Sequence, residues 1–269
     1  MTADQAPMES PSATLYLWPQ RTLYLGFIGP LSALTQGAHT LLFGLDGAIP
    51  FTVGDDTVTT RCALLPAGLT FSAQAGEGRI ACCFLDPLGR DLLFHQSRME
   101  RHPSGLFLPG DFAQEQQQVL ERLFQEQALA DEAYAALQGI LFPAADEVVP
   151  GFEADERVRQ VIERIRQDPT DNLSNDALGD MVGLSGDRLQ RLFKDATGIP
   201  IRRYRLWHRL FVTSTMMAMG SSLTDAALAA GFSDSSHLTN VFRNMLGMSP
   251  SMVLRRSRQI RILVGSEPC

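Results

Sequence analysis

Lysine is almost absent from this 269-residue chain: Lys194 stands alone among 23 basic residues, and the other 22 are arginine. Such a bias reflects GC-rich codon usage more readily than chemistry, so arginine content marks no function. Long apolar runs are missing too. No stretch of 18 or more apolar residues occurs, which excludes a membrane-spanning helix. The opening MTADQAPMES lacks the basic and apolar parts of a secretory signal. The four cysteines (Cys62, Cys82, Cys83, Cys269) form neither a CxxC pair nor a disulfide framework, as expected in a reducing cytoplasm.

The net charge of −7 is unevenly spread. Residues 1–150 hold 7 basic and 17 acidic residues, a net of −10, whereas residues 151–269 hold 16 and 13, a net of +3. From Pro200 onward the balance reaches +6, with 9 basic against 3 acidic. The front half would repel phosphate and the back half could attract it. A net of +3 is modest, so the position of that charge matters more than its size.

Between about Thr14 and Phe94 the runs LYLGFIGPL, TLLFGLDG, VTTRCALLPAG and RIACCFLDP are punctuated by Gly, Pro and Asp. Short apolar runs so spaced predict a β sandwich or barrel. In RIACCFL, alternation puts Cys82 with Ile80 and Phe84 on the buried face, so a core role is favoured over a redox one. Residues 113–127 then place Val119, Leu120, Leu123 and Phe124 on one helical face. Residues 130–142 predict a second helix with Ala133, Leu137, Ile140 and Leu141. Two such stripes exceed what one β domain has room to cover, so a homodimer through residues 113–142 is expected; packing within the same chain is the alternative. Pro150-Gly151 marks a division into domains 1–150 and 151–269, and Val158, Ile162 and Ile165 resume a helix.

The last hundred residues contain a degenerate repeat. GLSGDRLQRLFKDATGIP (183–200) is matched by GFSDSSHLTNVFRNMLGMSP (231–250). Gly183 and Gly231 are 48 positions apart, but Leu189/Leu238, Phe193/Phe242 and Gly198/Gly247 are 49 apart, so the second copy has one extra residue in its turn. Each copy reads as a helix-turn-helix, and two on one chain suffice to read successive major-groove segments as a monomer. Ser174 and Ser185 are the expected N-caps. Gly179 weakens its helix by about 1 kcal/mol, which implies tight crossing by the next helix; Ala227 is its counterpart. Leu189, Leu192 and Phe193 face inward, leaving Asp187, Arg188, Gln190, Arg191 and Lys194 outside. In copy two Leu238, Val241 and Phe242 face inward, and Ser235, Ser236, His237, Thr239, Asn240 and Arg243 stay out. The connecting IRRYRLWHRLFVTSTMMAMG, as a helix of roughly 20 residues, would span about 30 Å, close to the ~34 Å between successive major-groove faces.

On LSGDRLQRLFKDATGIP, RYRLWHRL, SLTDAALAAGFSDSSHLTNVFR and GMSPS, the C-terminal region resembles the DNA-binding domain of the AraC/XylS family of bacterial transcription regulators. The resemblance covers about 100 residues and implies seven helices, two of them entering adjacent major grooves. It implies base contacts by Asp187, Gln190 and Arg191 in the first reading helix and by Ser235, Ser236, Thr239 and Asn240 in the second. Asn240 stands where relatives commonly carry Arg, which implies either a preference shifted from guanine toward adenine or weaker use of the second half. Lys194 and Arg243, at equivalent positions, fit phosphate contacts; His237 fits either a phosphate contact or a turn-closing role. Trp207 reads as a helix core residue. RRSRQIR (255–261) fits a phosphate-binding tail or a solvated helix end.

The front half more loosely resembles the cupin-type sensor domains of the same family, on HTLLFGLDGAI and LLPAGLTF, with dimerisation helices after it. The expected fold is therefore α+β: a cupin-like β domain with two following helices, then an all-α domain with two helix-turn-helix units. Its histidines (His39, His95, His102) include no HxH pair, so no metal or other cofactor is expected; any effector would be apolar or weakly polar. The reading is a cytoplasmic regulator of double-stranded DNA, modulated by a small molecule at the N-terminal domain. The alternatives are a ligand-independent regulator whose β domain dimerises or meets RNA polymerase, and a cupin-fold enzyme, against which the missing metal ligands argue.

Overall fold

The computed structural model describes residues 13–110, 112–153, 155–246 and 260–266. Eight strands form the larger sheet: β1 (Ala13–Leu17), β2 (Thr22–Phe27), β4 (Thr40–Gly44), β7 (Cys62–Leu65), β9 (Arg79–Phe84), β10 (Glu100–Arg101), β11 (Phe107–Leu108) and β12 (Ile260–Val264). Their order is β10-β11-β7-β4-β9-β2-β1-β12. Facing it, β3 (Leu31–Thr35), β5 (Ile49–Val53), β6 (Asp56–Thr60) and β8 (Thr70–Ala73) pair in the order β3-β8-β5-β6. Central pairing is antiparallel, with Leu41 opposite Cys83 and Leu42 opposite Cys82. Leu42, Cys82, Ile80, Phe51 and Phe71 fill the space between the sheets. Leu41, Phe43 and Cys83 point the other way, beneath helices α2 (Ala113–Glu126) and α3 (Ala130–Leu137). Both faces of the large sheet are covered, which is why β4 is buried at all five positions and its sequence runs apolar without alternation. Cys82 occupies the face expected of it; Cys83 is equally buried on the opposite one.

The stripes of α2 and α3 are satisfied within their own chain. Val119, Leu120, Leu123, Ala133, Leu137 and Leu141 are all buried in the core on this outer face of the sheet. Tyr16 and Trp18 stack in parallel beneath them, and Trp18 Nε1 donates to the Ala130 carbonyl at 3.2 Å. An unpartnered apolar stripe therefore offers no argument for a dimer. The second helix also ends earlier than its pattern implied: it stops at Leu137, and Gly139 at φ +76° turns the chain, so Ile140 and Leu141 pack from a turn. The helix α1 (Arg90–Gln96) lies within the region read as strands.

The C-terminal half contains α4 (Glu156–Gln167), α5 (Asn175–Met181), α6 (Gly186–Thr197), α7 (Ile201–Ala218), α8 (Leu223–Ala229) and α9 (Ser235–Leu246). The seventh helix implied by the resemblance, with GMSPS, lies outside the described residues. Asp155, Ser174 and Ser222 cap α4, α5 and α8 through backbone N–H groups; Ser185 precedes α6 without a side-chain cap bond. Two cores result. Val158, Ile162, Leu178, Leu189, Phe193 and Tyr204 form one, and Leu210, Ala227, Phe232, Leu238 and Phe242 the other. The last described residues depart from expectation. Ile260 and Arg261, read as part of a helix end or basic tail, begin β12, which pairs in parallel with β1 of the front half; residues 255–259 lie outside the described residues.

Candidate nucleic-acid interface

Each reading helix presents one outward face at helical spacing. On α6, Asp187, Gln190, Arg191 and Lys194 stand at i, i+3, i+4 and i+7, all exposed, with Arg188 beside them. On α9 the same offsets carry Ser236, Thr239, Asn240 and Arg243; Ser236, Asn240 and Arg243 are exposed and Thr239 is half-buried. Leu189 and Phe193, or Leu238 and Phe242, anchor the opposite side of each helix. The burial period thus fixes which side chains remain for a partner.

The polar ends of Asp187, Arg188, Gln190, Arg191 and Lys194 engage no other described residue. The second helix is less open. Ser235 is half-buried and its carbonyl accepts the Thr239 hydroxyl at 2.7 Å. Asp234 accepts the His237 backbone N–H at 2.7 Å and so caps α9; that bond and the Ser233 hydroxyl hold its carboxyl below the usual range. His237 closes this turn: Nδ1 lies 3.2 Å from the Ser233 hydroxyl and the ring packs edge-on against Phe232. Ser236, Asn240 and Arg243 remain outward. Asp234 was missed from the sequence because Ser233, Asp234 and Ser235 are all plausible caps.

The spacing of the two faces depends on residues that periodicity does not single out. The helix α7 between them has 18 residues, about 27 Å at 1.5 Å per residue. Arg209 on it is buried and bonds Pro169 O through Nε at 2.7 Å and Asn172 Oδ1 at 2.8 Å. Gly231, at φ +85°, brings the α8–α9 turn against the same loop; a Cβ there would lie 2.7 Å from Pro169 O and 3.1 Å from the Arg209 guanidinium carbon. Arg209 and Gly231 thus brace the second unit on the first. The glycine expected to allow a tight crossing does so: a Cβ on Gly179 would lie 2.4 Å from Leu184 O.

A cleft opens between the two halves. Tyr24, Ile28, Cys82 and Phe84 line it from the β domain, Trp207, Phe211, Met217 and Phe242 from the helices, and Ile260 and Ile262 from β12. Among the described residues no charged side chain lines it. Trp207 packs against the second helical core, as expected, and also meets Phe84 of the β domain edge-on with ring centres 4.7 Å apart. Arg203 donates to the Thr35 carbonyl beside it. The histidines of the β domain are engaged separately. His39 Nδ1 accepts the Ala67 N–H at 2.9 Å, His95 Nε2 donates to Leu141 O at 2.8 Å, and His102 pairs with Ser104. Burial pushes His39 and His95 down to about 4. Among the described residues no helix is long and apolar enough to cross a membrane.

A β domain followed by two braced helix-turn-helix units is the class of protein this fold defines. A helix-turn-helix domain family model matches residues 178–256. The transcriptional regulator RipA of Corynebacterium glutamicum is 30% identical over 102 residues, covering 38% of this chain and 31% of that protein. The transcriptional activator RhaS of an Enterobacter species is 26% identical over 170 residues, covering 60% of this chain and 61% of the relative. The chain therefore spans about a third to three-fifths of these relatives' lengths. Across both halves the fold matches ToxT from Vibrio cholerae in a structure with an unsaturated fatty acid bound, at TM-score 0.55 and 13% identity, covering 88% of this chain and 95% of that one. Residues 178–256 thus carry a helix-turn-helix domain similar to those of these transcription regulators, as the resemblance to the AraC/XylS family implied.

Proposed function

We propose that the chain is a sequence-specific transcription regulator that reads two adjacent major-groove segments of double-stranded DNA through α6 and α9. The observation that carries this reading is the pair of equivalent outward faces, Asp187/Gln190/Arg191/Lys194 and Ser236/Thr239/Asn240/Arg243, on helices braced through Arg209 and Gly231. Arg191 and Asn240 occupy the same position and read bases, Arg by its fork and Asn by its amide. Lys194 and Arg243, one turn further along, contact phosphate. RipA and RhaS, described as transcriptional regulators, support the reading.

The test uses a duplex selected from a random library against the full chain. Arg191→Ala is expected to weaken that duplex by about 1–3 kcal/mol and relax preference at one base pair. Lys194→Ala is expected to weaken all duplexes alike and reduce the salt slope by about one. Unchanged affinity of the Arg191 variant at fixed salt, or altered base preference in the Lys194 variant, refutes the assignment.

Regulation by a small molecule belongs to the same reading, and its seat is the cleft between the halves. The interior between the two sheets is already filled by Phe51, Phe71 and their neighbours, so the site moves from the β domain, where the sequence placed it, to the cleft. Its lining is apolar except for groups such as Thr22, Gln36 and Ser214. Among the described residues the lining offers no cation to a carboxylate, and burying one unpaired costs several kcal/mol, which favours an uncharged apolar effector. That ToxT has been seen with a fatty acid supports an apolar ligand for this fold, with a different head group here.

A further inference from the structure

The strand β12 reaches the front-half sheet from beyond the second helix-turn-helix unit. It pairs with β1 along its whole length, from Ala13 with Ile260 to Leu17 with Val264, and Gly265 N–H continues the ladder to Leu17 O at 3.0 Å. A strand edge left bare is a template for other chains; here the same chain covers it. The approach is close enough to require glycine, since a Cβ at Gly265 would lie 2.8 Å from both Trp18 Nε1 and Ala130 Cβ. Arg261 donates to the Gln127 carbonyl and Leu263 packs on the core under α2 and α3. Alternation sends Ile260 and Ile262 to the opposite face, into the cleft shared with α7. One strand therefore grips the β domain along its edge and both its faces while packing against the helix that spans the two reading units.

The body it holds in place carries opposite charge. Residues 1–150 have a net charge of −10 and residues 151–269 of +3. Docking keeps an acidic domain beside a phosphate-binding one, which disfavours DNA approach. We propose that β12 is a strap that docks the DNA-binding half on the β domain and holds DNA affinity down until it lets go. This rests on the DNA-binding reading above, but its structural half is tested without DNA.

Two variants test it in the full chain. The first ends at residue 259. The second, Thr14→Cys with Arg261→Cys and Cys269→Ser, staples facing positions of β1 and β12 on the side away from the cleft. The buried thiols of Cys62, Cys82 and Cys83, all pushed up by burial, stay out of the exchange. A competent, undocked state populated at about 1–10% predicts roughly 10- to 100-fold tighter binding of the selected duplex once the strap is gone. That gain is expected to shrink as salt screens the repulsion. The oxidised staple should bind more weakly than wild type and recover with reductant, and small-angle scattering should show the shortened chain expanded. Equal affinity in shortened, stapled and wild-type chains, with unchanged scattering, overturns the strap. If shortening unfolds the protein, the staple alone decides: no reductant-dependent change overturns the proposal. An expanded shortened chain with no duplex bound by any variant upholds docking by β12 and overturns the DNA-binding reading instead.

Discussion

Gly179→Ala sets two physical effects against each other at one atom. In an open helix, replacing an interior glycine by alanine gains about 1 kcal/mol. Here the added methyl carbon would lie 2.4 Å from Leu184 O and 3.2 Å from the Gly186 nitrogen. These are backbone atoms of the turn into α6, and Gly179 O accepts the N–H groups of Val182 and Leu184 at 2.9 Å. No rotamer change relieves such an overlap; α6 itself has to move. Overfilling a packed site costs about 1–3 kcal/mol, occasionally more, and this contact belongs at the upper end. The net effect is a loss of about 1–2 kcal/mol, or about 2–8 °C in Tm for a protein of this size. Because α6 carries Arg191, affinity for the selected duplex should fall with stability. Scanning calorimetry of the full chain and a titration at fixed salt measure both. The contrasting change is Ala227→Gly in the second unit, where the fully buried methyl is lost along with propensity, for about 1 kcal/mol or more. A Gly179→Ala chain melting at or above wild type refutes the reasoning.

Two further outcomes follow from burial. His39 and His95 are held neutral, at about 4. A depressed folded value gives stability that is present above the ordinary 6.5 and lost as pH falls toward 4, on the order of 1–2 kcal/mol each at pH 5. Asp86 works in the opposite sense: burial and the neighbouring Asp91 raise it to about 6, so its share is present below 3.8 and lost as pH rises through 6. Two histidines outweigh one carboxyl, so urea unfolding should show lower stability at pH 5 than at pH 7, with a smaller decline in His95→Gln; an equal decline there refutes the assignment. For the cleft, Trp207 and Trp18 are the only tryptophans, and only Trp207 lines it. In Trp18→Phe, 1-decanol should shift the remaining emission at concentrations where decanoate does not, and equal response to both refutes the uncharged-ligand reading.

How much was legible in the sequence depended on whether burial followed a simple period. The faces of α6 and α9 were readable because Leu189, Phe193, Leu238 and Phe242 recur at helical spacing with polar residues between them. The two apolar faces of β4 and β9 were harder, because a strand covered on both sides loses the alternation that names its buried face. The stripes of α2 and α3 were found, but not their cover: Cys83, Leu41 and Phe43, which receive them, sit on the face that alternation had left unassigned. Helix α3 stopped at a single turn glycine within a continuing apolar pattern. Arg209 was not singled out, and the Phe84 contact of Trp207 was not foreseen, because their partners, Asn172 and Phe84, are fixed only by tertiary packing. The strand β12 follows a basic run and five residues carry little signal until an edge is present to receive them.

The geometry separates the outward faces proposed to touch DNA from the contacts proposed to restrain it. On α9 the outward side holds Ser236, Asn240 and Arg243, while Met245 and Leu246 at its end meet the β domain near Gly37 and β3. On α7, Arg203 and Trp207 face the β domain, whereas Arg209 grips the loop of the first unit. One helix thus joins two seams, one between the two reading units and one between helices and sheet; the proposed regulation needs the first to stay closed and the second to open. The first seam is made by a buried guanidinium with two directional bonds and by a glycine against a carbonyl; both demand a single geometry. The second is lined by apolar surface around a partly filled cleft, and such contacts tolerate rearrangement and respond to whatever fills them. On the proposed reading, a molecule in the cleft would act on how the reading units sit relative to the acidic domain, leaving their mutual spacing, and with it the sequence read, unchanged.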